Sequence, residues 1–117
     1  MIPNRPLTMT AGVSGALGVA LSAIAAHRAD LLNLGTAANI LLFHAPAFLA
    51  LGLASGNKVR TIASYGLLAG LVLFVGDLLA RGYLGTRLFP MAAPTGGILL
   101  ITGWLGIAVS AFAEKRA

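Results

Sequence analysis

The chain has 117 residues, 58% of them hydrophobic and 9% charged, with 15 glycines, no cysteine and a formal net charge of +5. Its mean hydropathy of +0.92 lies far above that of a soluble domain, where about a quarter of the residues are charged. These values exclude a soluble globular fold, disulfides, thiolate metal sites and cysteine nucleophiles. They leave room for four bilayer spans of about 20 residues with short connections and no extramembrane domain. The basic residues stand in ones and twos between apolar runs, which is the pattern of span ends rather than of a nucleic-acid surface.

The first apolar run, "LTMTAGVSGALGVALSAIAA" at 7–26, follows Arg5 and Pro6 and is stopped by "HRAD". Its basic start and its "AIAA" ending imitate a secretory signal peptide, but the run is longer than a usual signal core, so it is expected to stay in the protein as a span. The second run covers 34–54 and stops at "SGNKVR"; the third, 61–80, stops at "RGYLGTR". The fourth, 94–113, opens at Pro94, a residue favoured in a helix's first turn. A backbone in lipid must satisfy its own hydrogen bonds, and the ten-residue alternation of a membrane barrel is missing, so these runs read as helices. The predicted fold is an all-α integral membrane four-helix bundle forming a single transmembrane domain over 1–117.

Arg5, Lys58, Arg60, Lys115 and Arg116 fall on one side of the membrane, and Arg28, Arg81 and Arg87 on the other. By the positive-inside rule both termini are then expected in the cytoplasm of a bacterial inner membrane. Helices in lipid associate through small residues and a few polar contacts. Ser14, Gly18 and Ser22 form such a stripe on the first helix, Gly66 and Gly70 on the third, and Gly103, Gly106 and Ser110 on the fourth. A bundle of four helices has little interior, so several faces must meet lipid or other proteins.

Counting from the span ends puts His44 about 15 Å deep, at the midplane, with Trp104 at the same depth on the fourth helix. Trp favours the interface, so a midplane indole is expected to be packed or hydrogen-bonded. Pro46 removes the amide that would bond the Leu42 carbonyl. One reading of His44 is a neutral imidazole fastening helix two to a backbone carbonyl, Ser14 or Thr102. The other is a proton-accepting or ligand-touching group. Asp77, about 5 Å from the outer end of helix three, stands one turn before Arg81 and suits an ion pair there. With His27, Arg28 and Asp30 the two would form a polar outer rim. No second histidine stands at the depth of His44, and no catalytic triad, paired carboxylates or metal-ligand spacing can be assembled. Neither a cofactor nor enzymatic chemistry is expected.

Four blocks, "AAHRA" at 25–29, "NILLFHAPAFLALGL" at 39–53, "LVLFVGDLLA" at 71–80 and "APTGGILLITGWL" at 93–105, run in order through nearly the whole chain. Together they resemble the YgdD-type family of small four-helix inner-membrane proteins, also called domain-of-unknown-function family 423, which has mitochondrial relatives in animals. The family's small-Ala-His element is matched by Ala26 and His27, its Phe-His pair by Phe43 and His44, and its Pro-x-Gly-Gly through Gly-Trp block by Pro94, Gly96, Gly97, Gly103 and Trp104. Ala93 departs from the Thr that usually precedes the Pro, and Asp77 stands where the family has a small hydroxyl residue. The resemblance implies a fold but no established chemistry. Two functions follow from the residues: a non-enzymatic accessory, assembly or interaction subunit of a membrane complex, or a homo-oligomer, held by its Gly and Ser faces; and a small transporter or ion conductor using His44. The first is preferred. Four-helix multidrug exporters of this length carry an acid in the first helix, and 7–26 contains none.

Overall fold

The computed structural model describes residues 4–54 and 56–113. Lys115 and Arg116, counted above among the basic residues of one end, lie outside the described residues. Four helices make up the fold: α1 (Arg5–His27), α2 (Leu34–Leu53), α3 (Lys58–Leu79) and α4 (Ala92–Ala113), with a five-residue π-helical turn, Ala80–Leu84, prolonging α3. All four are long and apolar enough to cross a membrane.

Helices α1 and α3 begin before their apolar runs because an asparagine caps each. The Asn4 side chain accepts from the Leu7 N–H at 3.1 Å, and Asn57 accepts from the Arg60 N–H at 2.8 Å. Each bond satisfies one of the amides that a helix start leaves without a partner and is worth about 1 kcal/mol. Pro6 and Pro94 both fall in a first turn, where a missing N–H costs nothing. Asn33 and Met91, at φ 68° and 69°, turn the chain into α2 and α4 through the left-handed region. Helix α2 runs through Pro46 without interruption.

Each sequential pair forms an antiparallel hairpin. Between α1 and α2, Gly18 lies under Leu42 and Gly52 lies against Thr8; a β-carbon on Gly52 would stand 2.7 Å from the Thr8 nitrogen. Between α3 and α4 the backbones touch, since a β-carbon on Gly70 would meet the Gly96 carbonyl oxygen at 2.8 Å and one on Gly96 the Phe74 nitrogen at 2.6 Å. Gly103 sits on Leu67 and Gly106 on Ala63. The contact line of α3 is therefore Ala63, Leu67, Gly70 and Phe74, a helical repeat that leaves Gly66 to one side. Gly66 has no heavy atom within 4 Å of where its β-carbon would stand, so it is not one of the packing residues its spacing suggested. Ser14 and Gly18 are buried in α1, whereas Ser22 is half-buried.

The hairpins meet across α2 and α3, where Leu41 and Phe48 join Leu67, Leu71 and Val75 in one apolar cluster. Helices α1 and α4 take the outer positions. The two hairpins are offset along the axis: the Asn4 N–H donates to the Gly52 carbonyl at 2.7 Å, and the Asn4 side chain accepts from Tyr65, two turns into α3. The first turns of α3 project past the α1–α2 hairpin, and the molecule extends 53 × 27 × 17 Å.

Candidate functional site

At three levels of the bundle a polar side chain ties one segment of the fold to another. At the middle level the His44 ring is 6% exposed. Its Nδ1 lies 2.8 Å from the Ile40 carbonyl oxygen, and its Nε2 lies 3.2 Å from the Trp104 indole nitrogen. A carbonyl only accepts and an indole N–H only donates. Nδ1 therefore carries the hydrogen and Nε2 the lone pair, an arrangement that only the neutral imidazole can supply. The Trp104 and His44 rings are tilted to each other with centroids 5.7 Å apart, and the Phe48 ring is tilted to the imidazole at 6.3 Å. The indole is hydrogen-bonded as expected, yet Trp104 remains 43% exposed because α4 is an outer helix. Neither Ser14 nor Thr102 reaches His44: Thr102 donates back to Ile98 and Leu99, and Ser14 has no hydrogen bond among the described residues. Pro46 is exposed on a different face of α2 and takes no part in the His44 contacts.

At the end holding the α3–α4 loop, Asp77 corrects the expected polar rim. Its side chain is 0% exposed. One carboxylate oxygen accepts from Arg81 Nε at 2.8 Å and the other from the Leu88 backbone N–H at 2.8 Å. The carboxylate is buried because the loop after the π-helical turn folds back over it, so Asp77 binds the loop rather than facing solvent. Arg81 is its half-exposed partner. His27, Arg28 and Asp30 stay exposed around the α1–α2 connection. There Arg28 forms a two-toothed pair with Asp30 at 2.8 and 2.9 Å, and this hydrogen bonding holds the Asp30 carboxyl below the usual range and raises Arg28. The five rim residues thus form two separate ion pairs and an exposed histidine.

At the opposite end, Asn57 Nδ2 donates to the Ser110 carbonyl at 2.8 Å while Arg60 Nε donates to the Ser110 hydroxyl at 3.4 Å, so the start of α3 is tied to the end of α4. Asn4, Asn57 and Leu88 escaped the sequence reading. The asparagines stand just before predicted helices and carry the ordinary cap signal. The Leu88 amide gives no such signal, since any residue but proline has one. Among the described residues no three histidine, aspartate or glutamate side chains stand close enough to hold a metal.

A family model described as a protein of unknown function, DUF423, matches residues 14–97. The chain belongs to the DUF423 family. A UPF0382 membrane protein of Haemophilus influenzae is 33% identical over 121 residues, covering 96% of this chain and 97% of that one. Two staphylococcal relatives, the UPF0382 membrane proteins SH2409 of Staphylococcus haemolyticus and SSP2132 of Staphylococcus saprophyticus subsp. saprophyticus, are 31% and 32% identical. They cover 65% and 61% of this chain and 64% and 61% of their own lengths. No solved structure matches. The DUF423 match runs from Ser14 on α1 to Gly97 on α4, so it takes in His44 and Asp77 and ends before Trp104.

Proposed function

We propose that this DUF423 membrane protein is a non-enzymatic accessory or assembly subunit of a larger complex in the bacterial inner membrane, with both termini in the cytoplasm. The observation that supports this reading is the use already made of His44 and Asp77. Both ring nitrogens of the one and both oxygens of the other are bound to groups of the fold itself. A carrier or proton path needs a group that changes partners, whereas these hold helices and a loop in place. The outer faces of α1, α2 and α4 are broad and apolar, which suits lipid or other membrane helices.

The test is purification of the tagged full chain from native membranes in mild detergent, with the mass and composition of the complex determined. A larger complex of fixed stoichiometry, retained in His44→Ala, is the expected result. Proton or solute flux in proteoliposomes that vanishes in His44→Ala would overturn the proposal. Reporter fusions at each end test the orientation.

A further inference from the structure

Helix α2 presents one face that packs against nothing in the fold. Thr36, Asn39, Phe43, Pro46 and Ala50 follow one another along it, all exposed, with Phe43 at 72%. Neither the Thr36 hydroxyl nor the Asn39 carboxamide has a hydrogen-bond partner among the described residues. Asn39 stands five residues inside a helix of 20, so it lies about 7 Å within a span whose length of about 30 Å matches the hydrocarbon core. A carboxamide there has no water to bond, and an unmet amide in an apolar medium is costly. Lysine or arginine at that depth can stretch to the headgroups; asparagine is too short.

We infer that this face of α2 is a self-association surface, and that Asn39 pairs with Asn39 of a second copy of the chain. The inference deepens the interaction reading above by naming a partner, and rests on that reading only in treating an exposed helix face as an interaction face. The choice of a second copy follows from the chemistry of the amide. A carboxamide carries both an acceptor and two donors, so two of them related by a two-fold axis satisfy each other reciprocally, as an isologous interface requires. Copies inserted in the same sense can share only an axis along the membrane normal, and that axis brings each residue opposite its own counterpart at equal depth. Thr36, one turn nearer the surface on the same face, adds a hydroxyl to the seam. Ala50 leaves room for the backbones to approach toward the other end.

The chain contains no cysteine, so single cysteines report on this face without background. In vesicles carrying the full chain, Phe43→Cys is expected to form an oxidised covalent dimer, while Val13→Cys, exposed on α1 beside the groove between α1 and α3, does not. With fluorescently labelled copies in the same vesicles, Asn39→Leu is expected to weaken dimerisation on the order of tenfold, the scale of an interhelical hydrogen bond made twice. Asn39→Leu makes the helix more apolar, so it inserts and folds. A dimer equally tight in Asn39→Leu, or crosslinking through Val13→Cys in place of Phe43→Cys, overturns the inference. A larger complex copurifying with a chain that is monomeric in vesicles overturns it too while leaving the accessory role standing. An Asn39-dependent dimer that captures no other subunit supports the inference and counts against that role.

Discussion

Trp104 and His44, separated by 60 positions in the chain, share one hydrogen bond of 3.2 Å that joins the two hairpins and sets the tautomer of the imidazole. Trp104→Phe keeps a large ring and removes only the donor, leaving Nε2 of a buried histidine without a partner. The expected cost is about 1 kcal/mol. Trp104 is the sole tryptophan, so unfolding of this variant is followed by pulse proteolysis. A double-mutant cycle with His44→Leu isolates the bond: a coupling of that size supports it, and additivity of the two changes argues against it.

Asp77→Ala removes both the counterion of Arg81 and the acceptor of the Leu88 amide. The expected loss is about 2 kcal/mol, in the range for hydrogen bonds to a charged group, together with faster protease cleavage within the 85–91 loop. Asp77→Asn keeps an acceptor for Leu88 and loses the charge, so the loop stays protected while stability falls by less. Equal cleavage rates in both variants would show that the loop is held elsewhere.

The glycines separate into two groups. Gly70→Ala and Gly96→Ala push a methyl group into backbone atoms that cannot rotate aside, and each is expected to destabilise the bundle by about 2 kcal/mol. Gly66→Ala meets open space and gains helix propensity, so it is expected to be neutral or stabilising by up to about 1 kcal/mol. Unfolding midpoints in a graded mixture of denaturing and mild detergent rank the three variants, and a destabilised Gly66→Ala would contradict the contact line described for α3.

The pair of Arg28 and Asp30 gives a pH dependence with a fixed sign. Because Arg28 lowers the Asp30 pKa in the folded chain, its contribution is complete above the ordinary aspartate value of about 3.9 and is lost as the pH falls through the lowered one. Asp30→Asn is expected to leave stability at neutral pH nearly unchanged, since the pair is exposed. Its profile should fall less steeply in acid than that of the unmodified chain. Matching acid limbs would count against the pair.

The four spans were legible in the sequence because hydrocarbon selects for apolar composition over a length that simple geometry fixes. The helix starts were less so, since Asn4 and Asn57 set them outside the apolar runs. Depth counting placed His44 and Trp104 at one level, but depth is one coordinate; which neighbour a side chain meets depends on the rotation of each helix. That is why Thr102, close to Trp104 in sequence, points elsewhere. For the same reason Gly66, one turn from Gly70, misses α4. Asp77 read as a rim residue because its partner amide lies 11 residues on, in a loop whose path the sequence does not reveal.

The glycine contacts between helices lie within the hairpins, and the join between them is made of larger side chains, the close approach of Gly82 to the Leu32 carbonyl, and the hydrogen bonds of Trp104 with His44 and of Tyr65 with Asn4. Each hairpin is local in sequence, so it can close as soon as its second helix has entered the bilayer, before the other half has been synthesised. The molecule is thus built as two halves, each local in sequence. The contact of His44 with Trp104 spans the seam between them, so the sole indole of the chain gives that seam its own optical signal.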